Sequence, residues 1–248
     1  MDEQISIGSI SGMGIQVGGT GNTINQGPGE RLASGLARTQ GPRGSAYEHL
    51  LHGFVDIVGY SRLPVSLQRR SQEYLANLLS EGITRAGISP ELVDCQDQGD
   101  ARMMTFPAGT DAGRVLAEMP RYVHDELLEH NHHMRLPARL RLRMAFTMGV
   151  SEPGATGRVG AAPIAVARLA DWTRFRRIMG ETPEAYVGVI IDEHLYGEYV
   201  RQSFRSDMDP RDYAQAHISN PEKTFEADAW VRILRFTGEK VAALLARA

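Results

Sequence analysis

The chain has 248 residues, 42% of them hydrophobic and 23% charged, and a formal net charge of -3. That composition supports one sizeable core of the soluble globular class, and the charge gives no reason to expect nucleic acid or another polyanion as partner. The single cysteine, Cys95, excludes an internal disulfide and a paired-cysteine zinc site, and no run of about 18 apolar residues is present for a membrane span.

Residues 1–45 are rich in Gly, Ser, Thr, Asn and Gln and offer too little apolar surface to offset ordering entropy, so a flexible leader is expected. Asp2 and Glu3 stand where a secretory signal carries positive charge, and no apolar region follows; a cytoplasmic location is expected. Within residues 10–25, Ile and Val alternate with small or polar residues, a β-period pattern whose amide side chains suit cross-β ladders. The stretch GIQVGGTGN resembles the short amyloid signalling motifs that couple immune and cell-death proteins, with Asn22 displaced by one position. That resemblance implies self-assembly or a partner sharing the motif.

From Tyr47 the pattern becomes one of strands and helices, and a single domain over 46–234 is expected. FVDIVGYS ends a first strand, and Pro64 opens a helix with apolar residues at helical spacing through to Ile88. ELVDCQDQGDARMMTFP reads as a hairpin about QDQGD, with Cys95 packed in an apolar strand. DAGRVLAEMPRYVHDELLEHN predicts a second helix, kinked or broken at Pro120. ARLRLRMAFTMGV is a strand, GAAPIAVARLADWTRFRRIM a third helix, AYVGVIID a strand, EHLYGEYVRQ a short helix and EADAWVRIL a late strand. Residues 235–248 predict a terminal helical tail. The fold class expected is α+β, an α/β sandwich with helices packed on a mainly antiparallel sheet.

Asp56 is the anomaly in this pattern, because an unpaired carboxylate in a buried strand costs several kcal/mol and needs a cation or an arginine. Asp100 is a second carboxylate before a strand of large apolar residues. If the two strands are neighbours, both carboxylates reach one sheet end, where hard oxygen ligands suit Mg²⁺ or Mn²⁺. On spacing alone the alternative is ordinary turn chemistry, with Asp56 capping a turn before Gly59 and Asp100 serving its hairpin.

The order of motifs over residues 50–234 resembles the catalytic domain of class III nucleotidyl cyclases, the adenylyl and guanylyl cyclases. FVDIVGYS matches the family's opening strand, GDARMMTF its hairpin, RLRMAFTMGV echoes its next strand, and GAAPIAVARL keeps Gly160, Ala167, Arg168 and Leu169 of its helix. The resemblance implies a ferredoxin-like core, two divalent ions held by Asp56, Asp100 and the carbonyl of Ile57, and charge stabilisation on the phosphates by Arg168. It also implies a nucleoside triphosphate substrate beside the Gly99 turn, and a homodimer whose composite sites take the Arg168 helix from the other protomer.

Three positions depart from the family. Ile164 stands four residues before Arg168, where the family has a transition-state Asn. Gln96 replaces the Lys of adenylyl cyclases, and Gly157 replaces an Asp. Neither purine signature survives, although Gln96 both donates and accepts. Two readings follow. In the first, the protein is a divalent-metal-dependent nucleotidyl cyclase of signalling or defence whose base preference is not purine-typical. In the second, it is a catalytically degenerate cyclase-like dimer that binds nucleotide or scaffolds assembly. The retained Asp56, Asp100 and Arg168 favour an enzyme. His124, His130, His132 and His133 near Glu129 read as a solvated helix end rather than a metal site.

Overall fold

A computed structural model describes residues 47–202, 205–220 and 223–248. The expectations for residues 1–45, including the assembly motif at 10–25, lie outside the described residues.

Strand β1 (Glu48–Ile57) is the spine. It pairs antiparallel with β4 (Leu142–Gly154) along its whole length and with β3 (Ala101–Thr105), which closes a hairpin with β2 (Asp94–Gln98). On the other side β4 runs parallel to β6 (Val187–Asp192), followed by β8 (Phe225–Ile233) and the edge strand β7 (Tyr213–Asn220). A three-residue strand, β5 (Gly157–Val159), folds back on the end of β4. Every pair except β4–β6 is antiparallel, as the alternating patterns and the hairpin led one to expect.

Strand alternation assigns the two faces. Leu51, Val55, Ile57, Met144, Phe146, Val189 and Ile191 point to one face, covered by helices α1 (Val65–Arg85) and α2 (Ala112–His132). Leu79 and Ile83 of α1 and Met119 and Val123 of α2 are fully buried there, each contributing about 1.5–3 kcal/mol by burial. Met103, Ala145, Ile190, Val231 and Ile233 point to the other face, covered by α3 (Ala161–Ala170), α4 (Thr173–Glu181) and, past the short turn α5 (Glu193–Leu195), by the last helix α6 (Gly238–Arg247). Val241 and Leu245 of α6 are buried in that second layer.

Several local expectations are revised. Helix α2 runs unbroken through Pro120, whose ring is buried against the core. The single helix expected at 160–179 is two, because Asp171 ends α3 and Trp172 is extended at φ -59°, ψ 124°. Arg141 holds the other end of α4: its Nη1 donates to the carbonyls of Met179 (2.6 Å) and Thr182 (3.1 Å). Cys95 is exposed rather than packed, since β2 is an edge strand with most of its side chains in solvent. No helix among the described residues is long and apolar enough to cross a membrane.

Candidate functional site

The partner of Asp56 is an arginine. Arg143 stands directly opposite on β4, and its Nε donates to Asp56 Oδ1 at 2.8 Å while its Nη2 donates to Oδ2. Both side chains are nearly enclosed, at 8% and 14% exposure, so this is a bidentate ion pair inside the sheet face rather than a surface contact. Asp56 therefore does not cap the Gly59 turn: Gly59 has no side-chain cap, and the following 3-10 turn is closed by backbone bonds. Burial pushes the Asp56 carboxyl above the usual range, Arg143 opposes this, and Asp100 pushes it up further.

Asp100 comes to the same sheet end. It follows Gly99 (φ 74°) in the tight β2–β3 turn, and its carbonyl accepts from the amide of Ile57 at 3.2 Å, while Ala101 pairs with Asp56. The carbonyl of Gly99 accepts from Gln72 Nε2 of α1 at 2.7 Å, which fixes the turn from behind. The register therefore places the backbone of Asp56, Ile57 and Asp100 at one sheet end. Two carboxylates and a carbonyl are hard oxygen donors of the kind Mg²⁺ or Mn²⁺ prefers, although Arg143 already occupies both oxygens of Asp56. Among the described residues no cluster of three His, Cys, Asp or Glu side chains has metal-holding geometry.

Helix α3 crosses β1 and β4 closely; a Cβ on Gly149 would come within 2.9 Å of Ala162 Cβ. This brings Pro163, Ile164, Ala167 and Arg168 over Phe54, Asp56 and Met103, and between them lies a cleft of about 500 Å³. Arg168 therefore lines the same cleft as Asp56 within one chain. Its guanidinium carbon stands 5.3 Å over the Phe225 ring. Ile164 is 52% exposed, an aliphatic side chain facing the opening.

Two cleft residues carry chemistry that was not read from the sequence. Lys223, before β8, donates to Asp171 Oδ2 at 2.9 Å, and Asp171 also accepts from Arg176. Burial works upward on the Asp171 carboxyl, but the hydrogen bonds from Lys223 and Arg176 outweigh it and hold the group below its usual range. Arg168 and Lys223 bring positive charge to the cleft lining, which Asp171 partly offsets through its pair with Lys223. Arg143 itself had a signal: an arginine inside an apolar strand needs an anion as much as Asp56 needs a cation.

Gln96 and Gly157 also meet. The β4–β5 turn folds back so that a Cβ on Gly157, at φ 136°, would lie 2.2 Å from Gln96 Oε1, a conformation and an approach that only glycine tolerates. Under this hairpin lie three buried side-chain atoms that find no hydrogen-bond partner among the described residues, Gln96 Nε2, His52 Nε2 and Ser151 Oγ, while Arg158 Nη1 pairs with Glu48 Oε2 at 2.6 Å. Burial, with the charge of Arg158, brings the His52 pKa down to about 4. The α2 histidines do not form a site: His130 stacks on Tyr74 at 4.3 Å, His124 is buried beside Asp125, and His133 approaches Glu129 at 3.6 Å.

No protein-family model matches the chain, and no curated protein matches it in sequence. Solved structures do match in fold. An adenylate/guanylate cyclase/hydrolase from Silicibacter pomeroyi superposes with a TM-score of 0.55 at 14% identity, covering 77% of this chain and 99% of its own. A bacterial light-regulated adenylyl cyclase gives 0.54 at 15% identity over 81% and 97%, and the adenylyl cyclase CyaB from P. aeruginosa 0.54 at 15% over 75% and 94%. At these identities the likeness is one of fold: the chain has the α+β architecture of class III cyclase domains.

Proposed function

We propose that the protein is a divalent-metal-dependent nucleotidyl cyclase that converts a nucleoside triphosphate to a 3′,5′-cyclic nucleotide and pyrophosphate. The observation that carries this reading is the single cleft in which Asp56 faces Arg168 and Lys223 on a cyclase-like fold. Asp56, Asp100 and the Ile57 carbonyl are the groups that would hold Mg²⁺ or Mn²⁺, two ions per site. Bound there, such ions supply a lowered pKa to the ribose hydroxyl and neutralise charge on the polyphosphate. The chain's own part is orientation and charge: Arg168 and Lys223 present cationic donors to phosphate oxygens, Arg168 as a planar fork. Gln96, Gly99 and Gly157 are assigned to the region for the base; the Gln96 amide is covered by the Gly157 turn, so a base preference that is not purine-typical rests on the lack of the family's Lys and Asp at positions 96 and 157. We further assign the protein to the cytoplasm as a homodimer; because Arg168 lines the cleft of its own chain, α3 serves the site of its own protomer in place of the composite site that the family resemblance implies.

A second reading is a cyclase-like dimer that binds nucleotide without turnover, and Ile164 is the observation that favours it. An aliphatic side chain at the mouth of the cleft neither donates to the ribose nor orients it, and loss of one such group costs about 10²- to 10³-fold in rate. Measuring Mn²⁺-dependent nucleotide binding and product formation on the same preparation separates the two: both signals support the cyclase, binding alone supports the scaffold.

A further inference from the structure

The proposed function asks Asp56 to hold a divalent cation, yet both oxygens of Asp56 are already engaged. Arg143 takes Oδ1 through Nε and Oδ2 through Nη2, from the directly opposed position on the neighbouring strand, and both groups are largely withdrawn from water. Planar fork-on-carboxylate pairing of this kind leaves little room for a third charged group on the same two oxygens. The lone pairs left on the Asp56 oxygens lie beside the guanidinium, so a cation that binds there sits within a few ångströms of Arg143, where two positive charges repel strongly in a poorly screened site.

We infer that Arg143 is a resident counter-ion that competes with the divalent metal for Asp56, so that the free protein holds its metal site closed by its own side chain. The inference rests on the metal-dependent reading above. In the metal-free protein the pair holds the Asp56 carboxyl in one orientation and places a positive charge beside it. Arg143 is thus a positioning residue acting through Asp56. Metal entry is opposed by the guanidinium unless the pair opens, and the affinity for metal alone is lowered accordingly.

The test is Mn²⁺ binding to the full chain without nucleotide, read by the loss of the free-ion electron paramagnetic resonance signal. Arg143→Lys keeps a positive charge but has no fork to span both oxygens; Arg143→Met removes the competitor. The expected result is about fivefold tighter Mn²⁺ binding for Arg143→Lys and tenfold or more for Arg143→Met. Mn²⁺ should also raise the melting temperature of both variants more than that of the parent. Adding Asp56→Asn to Arg143→Lys is expected to remove the gain, which identifies Asp56 as the ligand. Should Arg143→Met fail to fold, the lysine variant alone carries the comparison. A parent that binds Mn²⁺ as tightly as, or more tightly than, the variants overturns the competition while leaving the metal site in place. Absence of Mn²⁺ binding in parent and variants alike overturns both the inference and the metal-dependent reading.

Discussion

His52 provides a quantitative check on how the face beneath the β4–β5 hairpin is built. Its ring is fully buried on β1, Nδ1 lies 3.2 Å from Thr105 Oγ1, and Nε2 has no hydrogen-bond partner among the described residues. Burial is the main cause, with the charge of Arg158 next, that lowers its pKa from 6.5 to about 4. A depressed folded-state value means that protons bind the unfolded chain in preference. The stability contributed is therefore complete above pH 6.5, is lost as pH falls through the window from 6.5 to about 4, and changes no further below it. The difference of about 2.5 pH units corresponds to roughly 3 kcal/mol at about 1.36 kcal/mol per unit. His52→Leu removes the titration; it also leaves Thr105 Oγ1 without this partner, a loss that does not depend on pH. Urea unfolding of parent and variant at pH 7 and pH 4 is expected to show the parent losing about 3 kcal/mol more than the variant between the two values. Parallel losses in the two proteins would refute the placement of a neutral, buried imidazole at this position.

Other expected outcomes follow from the cleft and its ion pair. Asp56→Ala strands Arg143 in the sheet face and is expected to cost about 3–5 kcal/mol in denaturant titration, whereas Asp100→Ala, which removes a like charge from beside Asp56, should be near neutral or stabilising. Ile164→Asn is expected to raise cyclic-nucleotide turnover about tenfold, because one polar contact made in the transition state contributes about 1.4 kcal/mol. Since Ile164 is half exposed, the new amide stays solvated and the melting temperature should move little. Deleting residues 1–45 should leave the melting transition of the remainder in place and abolish any higher-order assembly seen by light scattering with the full chain.

Much of the fold was legible where hydrophobic period and turn chemistry agree. The β1 run with its Gly59 turn, the hairpin around Gly99 and Asp100, and the helical spacing of α1 and α6 each carry both signals. Strand β7 was missed because the inward positions of YAQAHISN include two alanines, too small to stand out against His217 and Gln215 on the outward side. The break between α3 and α4 escaped because apolar residues continue at helical spacing across Asp171 and Trp172, and only the carbonyls taken by Arg141 show how the second helix is secured. At the site, Asp56, Asp100 and Arg168 were readable as types in a motif order. The Asp56–Arg143 pair and the place of Lys223 on the rim depend on strand register and on a loop returning to the cleft, which no local pattern encodes.

The central claim is that this cleft cyclises a nucleoside triphosphate, and the most direct measurement is incubation of the purified full chain with each of the four triphosphates and Mn²⁺, with products separated by mass. The account predicts a 3′,5′-cyclic nucleotide and pyrophosphate from at least one triphosphate, dependent on Mn²⁺ and absent from Asp100→Ala. No cyclic product from any of the four, from parent and Ile164→Asn alike, would contradict it and leave only the cyclase-like fold.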